Sequence, residues 1–177
     1  MSTPTPKLRR TRRRRFCKGY APVRLFGGHH YRKGAQGPET MDCIFCSIIA
    51  GEAEASVVYD DANVLAFMDI RPFTSGHLLV VPKRHASGLS TLDPDDGARI
   101  FAVAQKIAAA MRTGSLPVDG VNLHLSDGAV AGQEVFHVHL HVIPRNRGDG
   151  FGLRALPRTP NRTILDSTAA VIRGALN

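Results

Sequence analysis

Short apolar runs bounded by Asp, Gly and Pro dominate the chain from Val57 onward, and one long stripe of helical spacing interrupts them. Val57-Val58-Tyr59-Asp60 reads as a strand, and Asp61-Ala62 as a tight turn. Val64 to Asp69 reads as a second strand. Arg71 to Gly76 carries Pro72 and Gly76 and must be a loop. Leu78-Leu79-Val80-Val81 is apolar without alternation, the pattern of a strand buried on both faces. Asp93-Pro94 predicts a helix start, with an N-cap acid and a proline at the first position. Asp95 and Asp96 suit the positive end of that helix's dipole. Ile100, Val103, Ala104, Ile107, Ala108 and Met111 then recur at helical spacing and mark the buried face, and Gly114 and Pro117 end the helix. Val121 to Ser126 is a fourth strand and Phe136 to Ile143 a fifth. Cys46 to Gly51 fits a short helical turn, and Ile164 to Leu176 a C-terminal helix. Five strands, one long helix and mostly short links predict an α+β domain with a largely antiparallel sheet.

The fifth strand carries the chemistry. In His137-Val138-His139-Leu140-His141-Val142-Ile143, histidine alternates with apolar residues. Successive side chains of a strand point to opposite faces, so the imidazoles line one face and Val138, Leu140 and Val142 the other. Neighbouring histidines would stand about 6.5 Å apart along the strand. A row of imidazoles at that pitch can attack, hold and orient one phosphate group. Imidazole is a good nucleophile near neutral pH because much of it is unprotonated. The bland alternative is a metal-binding or merely polar strand face. Three histidines in strict register with apolar backing weigh against it.

Charge divides the chain. Of its 177 residues, 1–40 hold eleven Lys/Arg against one acidic residue, Glu39, which leaves twelve Lys/Arg and fourteen Asp/Glu for the rest. The net charge of +8 therefore belongs to the extension, and the remainder is mildly acidic. A block of like charge such as Arg12-Arg13-Arg14-Arg15 repels itself and stays disordered. It could bind nucleic acid through phosphates, act as a targeting segment or touch an anionic surface. We instead read Met41 as the native start, because translation from it would yield the domain with no overhang. No apolar run approaches the roughly 18 residues that cross a membrane. Three cysteines, one of them in the extension, argue against a disulfide framework. No secretory apolar segment is visible either, and a reducing, cytoplasmic location is expected.

Cys43-x-x-Cys46 has the spacing of a zinc knuckle, and its two further ligands would come from afar, His85 and His137 being the candidates. Two buried, inert cysteines are the alternative.

Several motifs in order resemble the histidine triad (HIT) superfamily of nucleotide hydrolases and transferases. They are Cys43-Ile44-Phe45-Cys46, Phe67-Met68-Asp69-Ile70-Arg71-Pro72, Gly76-His77-Leu78-Leu79-Val80-Val81-Pro82-Lys83 and the run from Ala131 to Arg145. The resemblance runs from about Asp42 to about Gly152, which divides the chain into the basic extension over residues 1–40, the domain over 41–152 and a C-terminal segment over 153–177. It implies a HIT-like fold whose sheet pairs with a second copy's into one continuous sheet. It implies hydrolysis at the α-phosphorus of a purine nucleoside phosphoramidate or related nucleotide. By resemblance, His139 is the nucleophile, His141 binds a non-bridging oxygen, and His137 sits behind them. The third histidine, His141, favours hydrolysis, since the transferase branches carry glutamine there. Gly132, Gln133, Glu134 and Val135 would bring backbone N–H groups to the phosphate, and Asp69 would bind the ribose. Ile44, Phe45 and Phe67 would form a slot for the base, with core packing as the alternative for Phe67. His77 matches a residue near the nucleotide. Ser126 stands where relatives carry Asn or Gln, and Glu134 where many carry Ser or Thr. That carboxylate would repel a further phosphate and favour amine leaving groups. Some bacterial-type relatives hold structural zinc with the set Cys43, Cys46, His85 and His137, and no catalytic cofactor is implied. The rival activities are dinucleoside polyphosphate hydrolysis and regulatory nucleotide binding with incidental turnover.

Overall fold

Five strands form one sheet: β1 (Val57–Asp60), β2 (Val64–Met68), β3 (Leu78–Pro82), β4 (Gly120–His124) and β5 (Leu140–Arg145). Their order is β1-β2-β3-β5-β4, and every neighbouring pair is antiparallel. The computed structural model describes residues 43–152 and 158–176. The basic extension, Met41 and residues 153–157 lie outside the described residues.

β3 is buried along its whole length, as its unbroken apolar run predicts. Leu78 and Val80 join one apolar cluster with Val64, Ala66, Val138, Leu140 and Val142. Leu79 and Val81 point the other way and join a second with Phe45, Leu65 and Phe67. Helix α2 (Pro94–Thr113) covers the first face with Ile100, Val103, Ala104, Ile107 and Met111. It starts where expected: the Asp93 side chain accepts the Asp95 N–H at 2.9 Å, and Pro94 takes the first position. Helix α1 (Ile44–Ile49) covers the second face by burying Phe45.

Several boundaries differ from expectation: β2 stops at Met68, before Asp69, and β3 runs on to Pro82. The first helix begins at Ile44 rather than Cys46, since Cys43 already accepts the Ser47 N–H at 3.1 Å. β4 spans Gly120–His124, so Leu125 and Ser126 leave the strand. β5 runs from Leu140 to Arg145 rather than from Phe136 to Ile143. The Val138 N–H donates to Ala86 O at 2.7 Å, so the chain before Leu140 is tied to the loop after β3 and not to a ladder. Pro144 is tolerated in β5 because the pairing with β3 stops at Val142. The C-terminal helix α3 spans Arg162–Ala175, capped by the Asn161 side chain on the Ile164 N–H at 3.0 Å. Among the described residues, no helix is long and apolar enough to cross a membrane.

Candidate active site and metal cluster

With Val138, Leu140 and Val142 in the α2-side cluster, His137, His139 and His141 face the α1 side. His139 and His141 have ring centroids 4.9 Å apart. Only His141 belongs to the strand proper; His137 and His139 lie in the segment before it, His137 at the end of a bend.

Backbone groups set the tautomer of each ring, because a carbonyl only accepts and an N–H only donates. His139 Nδ1 lies 2.7 Å from His137 O, so Nδ1 carries the proton and Nε2 keeps the lone pair. His137 Nε2 lies 2.8 Å from Pro82 O, so its lone pair is on Nδ1. The Phe73 N–H donates to His77 Nδ1 at 3.2 Å, which puts the His77 proton on Nε2. That proton is donated to His141 Nδ1 at 2.9 Å, leaving His141 Nε2–H as a donor. A nucleophilic nitrogen and a hydrogen-bond donor thus sit on adjacent rings.

Burial disfavours the charged forms of His77, His137 and His141. It pushes His137 and His141 each down to about 4, with neighbouring imidazoles adding to the fall, and lowers His77 despite the Asp69 carboxylate nearby. The unfolded chain therefore takes up protons that the folded chain does not, and stability rises with pH in that window. The contribution is complete above the ordinary imidazole value of 6.5 and is lost as pH falls from there towards about 4. We expect the midpoint of thermal unfolding to drop by about 5 °C or more between pH 7 and pH 5. A flat profile would mean that these rings accept charge in the fold.

The surrounding groups close the site. Asp69, just past β2, lies 3.5 Å from His77 Nε2 and accepts the Arg71 N–H at 2.8 Å, which opens the following loop. Phe73 stacks on His77 at 5.3 Å. The loop returns through Gly76 (φ +89°), where a Cβ would lie 3.0 Å from Pro144. Phe45 meets Phe67 edge-on at 5.4 Å and His139 at 5.3 Å. Ile44, on the same helix, is half exposed. Val135 packs against the Phe45 cluster.

The loop before the triad differs from expectation. Buried Gln133 uses its side chain inside the loop: Oε1 accepts the Gly128 N–H at 2.8 Å, and Nε2 donates to Ser87 O and Val135 O. The Gly132 and Gln133 N–H groups donate to Ala129 O and Gly128 O. Among the described residues, the Glu134 and Val135 N–H groups are the pair in that stretch without a protein partner. Gly132 itself takes the left-handed conformation (φ +93°) that favours glycine. The exposed Glu134 carboxylate pairs with the Arg71 guanidinium across the mouth of the site.

Three residues escaped the sequence reading: Arg71, Phe73 and His124. For His124 a signal exists, since Asn122, His124 and Ser126 alternate with Val121, Leu123 and Leu125. Arg71 and Phe73 sit in a loop, where no periodicity marks a direction.

The four metal candidates converge. Donor atoms of Cys43, Cys46, His85 and His137 all lie within 4.8 Å of one another. His137 Nδ1 is 3.5 Å from Cys43 Sγ and 3.6 Å from Cys46 Sγ, and His85 Nδ1 is 3.3 Å from Cys46 Sγ. A tetrahedral zinc with usual bond lengths puts adjacent N and S donors about 3.6 Å apart. The His137 lone pair already faces the cysteines, and His85 Nε2 is buried with no partner. Burial, reinforced by Cys43 alongside, pushes the Cys46 thiol up to about 11. A metal entering would thus displace a thiol proton. The residues fit zinc. Arg84, next to His85, pairs with Asp93 at 2.7 Å and Asp96 at 2.9 Å, anchoring this loop to the start of α2. Asp69, His77 and His141 form a second cluster of this kind, but His77 Nε2 holds a proton there and offers no lone pair.

Residues 50–148 match the family model described as "HIT domain". An uncharacterised HIT-like protein of Mycobacterium tuberculosis is 45% identical over 139 residues, covering 77% of this chain and 94% of that protein. The solved structure of a Zn-bound histidine triad family protein from Mycobacterium smegmatis is 44% identical and superposes with a TM-score of 0.62, covering 77% of this chain and 99% of that one. An adenylylsulfatase of Arabidopsis thaliana (HINT3) is 39% identical over 110 residues, 61% of this chain and 54% of that protein.

Proposed function

The chain belongs to the HIT family, and from that premise we propose that it hydrolyses nucleoside 5′-phosphoramidates or related nucleotides at the α-phosphorus. The supporting observation is the pairing of a lone pair on His139 Nε2 with a donor on His141 Nε2, each set by a hydrogen bond on the far side of its ring. His139 Nε2 attacks phosphorus while the P–N bond to the leaving group breaks and its electron pair goes to that nitrogen. His141 donates to a non-bridging oxygen as negative charge builds there. Water then attacks phosphorus, the nucleoside monophosphate departs, and the bonding pair returns to His139. The Glu134 and Val135 N–H groups supply further donors, Asp69 receives the ribose hydroxyls, and the base enters beside Ile44, Phe45 and Phe67. Purine nucleotides are the substrate class, and the protein acts as a cytoplasmic homodimer.

Cys43, Cys46, His85 and His137 would hold a zinc ion with no open position, a structural site. Bound there, zinc ties α1 and the loop after β3 to the segment carrying the nucleophile. His137 orients this catalytic segment from the metal side and does not react.

One observation favours amine leaving groups: Glu134 pairs with and neutralises the Arg71 guanidinium. Without Glu134, Arg71 could receive a second phosphate, as dinucleoside polyphosphate hydrolysis requires. The test compares release of AMP from adenosine phosphoramidate, adenosine phosphosulfate and diadenosine tetraphosphate. Phosphoramidate is expected to lead, and Glu134→Ser is expected to improve the tetraphosphate about threefold to fivefold relative to it. A tetraphosphate preference in the unaltered protein would establish the rival hydrolase. No release from any of the three by folded protein would establish regulatory binding.

A further inference from the structure

His124 and Ser126 form a pair that the reaction above does not use. β4 lies beside β5 with His124 directly opposite His141 in the antiparallel register. Opposite residues share a face, so His124 projects to the side of the triad, and its ring centre lies 5.9 Å from that of His141. Its Nε2 is 3.1 Å from Ser126 Oγ. Ser126 is buried, and its Oγ lies 3.9 Å from where a Cβ on Gly132 would be, so the hydroxyl borders the phosphate-facing loop. The third polar residue of the alternation, Asn122, is occupied elsewhere as an acceptor for Arg145.

Proton supply is the unmet need. A departing amine nitrogen must gain a proton as the P–N bond breaks. His139 Nδ1–H is held by a carbonyl, and His141 is locked between His77 and the phosphate oxygen. His124, by contrast, is exposed and can exchange protons with solvent, while the hydroxyl it contacts is buried. A short hydroxyl carrying an imidazole behind it does something that the longer amide expected at position 126 cannot: it passes a proton.

Resting on the hydrolase reading, we propose that His124 and Ser126 are a proton relay for the leaving group, Ser126 touching substrate and His124 acting through it. In the first step Ser126 Oγ–H gives its proton to the departing nitrogen and takes one from Nε2 of charged His124, which ends neutral. In the second step the relay runs backwards. The attacking water gives a proton to Ser126 Oγ, whose own proton passes to His124 Nε2, while the P–N bond to His139 breaks. Protons and electron pairs balance over the two steps, and only water is consumed.

The test is a series of adenosine 5′-phosphoramidates with amine leaving groups of graded basicity, plus the p-nitrophenyl ester of AMP. The readout is kcat/KM, which reports the step in which the leaving group departs. For His124→Ala we expect a loss of about thirtyfold or more with the most basic amine. The loss with p-nitrophenolate, which leaves without a proton, should be at least about tenfold smaller. Ser126→Ala should reproduce that slope, and the double variant should lose no more than the worse single one, since coupled residues are not additive. His124→Asn can hold the Ser126 hydroxyl but cannot deliver a proton, and it should remain as slow as alanine. Equal losses across the series, or recovery in His124→Asn, would overturn the relay and leave His124 a purely structural role. Absence of turnover of the whole series by the unaltered protein would strike the hydrolase reading itself, and the relay with it.

Discussion

Replacing His139 with alanine is expected to lower AMP release from adenosine phosphoramidate by at least about a thousandfold, the order seen when a covalent nucleophile is removed. The size follows from how the rings are held. The neighbouring imidazoles cannot take over: His137 presents its lone pair to Cys43 and Cys46, and His141 presents N–H rather than a lone pair. His124 carries its Nε2 on Ser126. What remains is binding and charge stabilisation by the donors, which act on a reaction that now needs water as its first nucleophile. The measurement is single-turnover AMP release alongside circular dichroism, because His139 is buried against Phe45 and the variant must be shown to fold. A variant that is folded and retains more than about a tenth of the rate would refute covalent catalysis by His139.

Stripping metal is expected to produce the largest loss of stability. Protein purified without chelator should hold one zinc per chain, and chelation should lower the thermal midpoint by about 10 °C or more, since ligand binding to the folded state adds directly to folding free energy. The four donors come from α1 and its N-cap Cys43, the loop after β3 and the segment before β5, so a single ion would crosslink three parts of the chain. Cys46→Ser should melt at about the temperature of the stripped protein, and chelation should move it little further. Zinc uptake should release protons, and its affinity should weaken as pH falls, because the Cys46 thiol is held protonated by burial. Colorimetric zinc titration and proton-release measurements in weak buffer read both effects. No stoichiometric zinc, together with a melting curve insensitive to chelator, would leave the cluster as two thiols and two imidazoles that merely pack together.

Much of this architecture was legible locally. Helix α2 announced its own ends, because capping by Asp93-Pro94 and termination at Gly114 are contacts within a few residues. β3 announced burial on both faces through an unbroken apolar run. The triad announced its direction because Val138, Leu140 and Val142 had to reach the core, and that demand turned the imidazoles the other way. Cys43-x-x-Cys46 announced half of the cysteine–histidine cluster, since that spacing on a single helical turn brings two sulfurs together. Boundaries were less secure where a distant partner decided them. β5 starts at Leu140 because the Val138 N–H binds Ala86 O, a residue far away in sequence.

Residue order alone is enough to say which residue types stand on which face: side-chain alternation and helical periodicity are properties of the backbone, independent of what lies opposite. What those side chains do is set by the folded arrangement. The lone pair on His139 is placed by a backbone carbonyl, that on His137 by Pro82 O, and the donor on His141 by a path through His77 to the Phe73 N–H. Gln133 turned inward to Ser87 O, Glu134 found Arg71, and His124 came to rest beside His141. Those outcomes depend on hydrogen bonds and ion pairs between segments far apart in the chain. Their energies are set by distance and burial after folding, and neither quantity is written in the order of the residues.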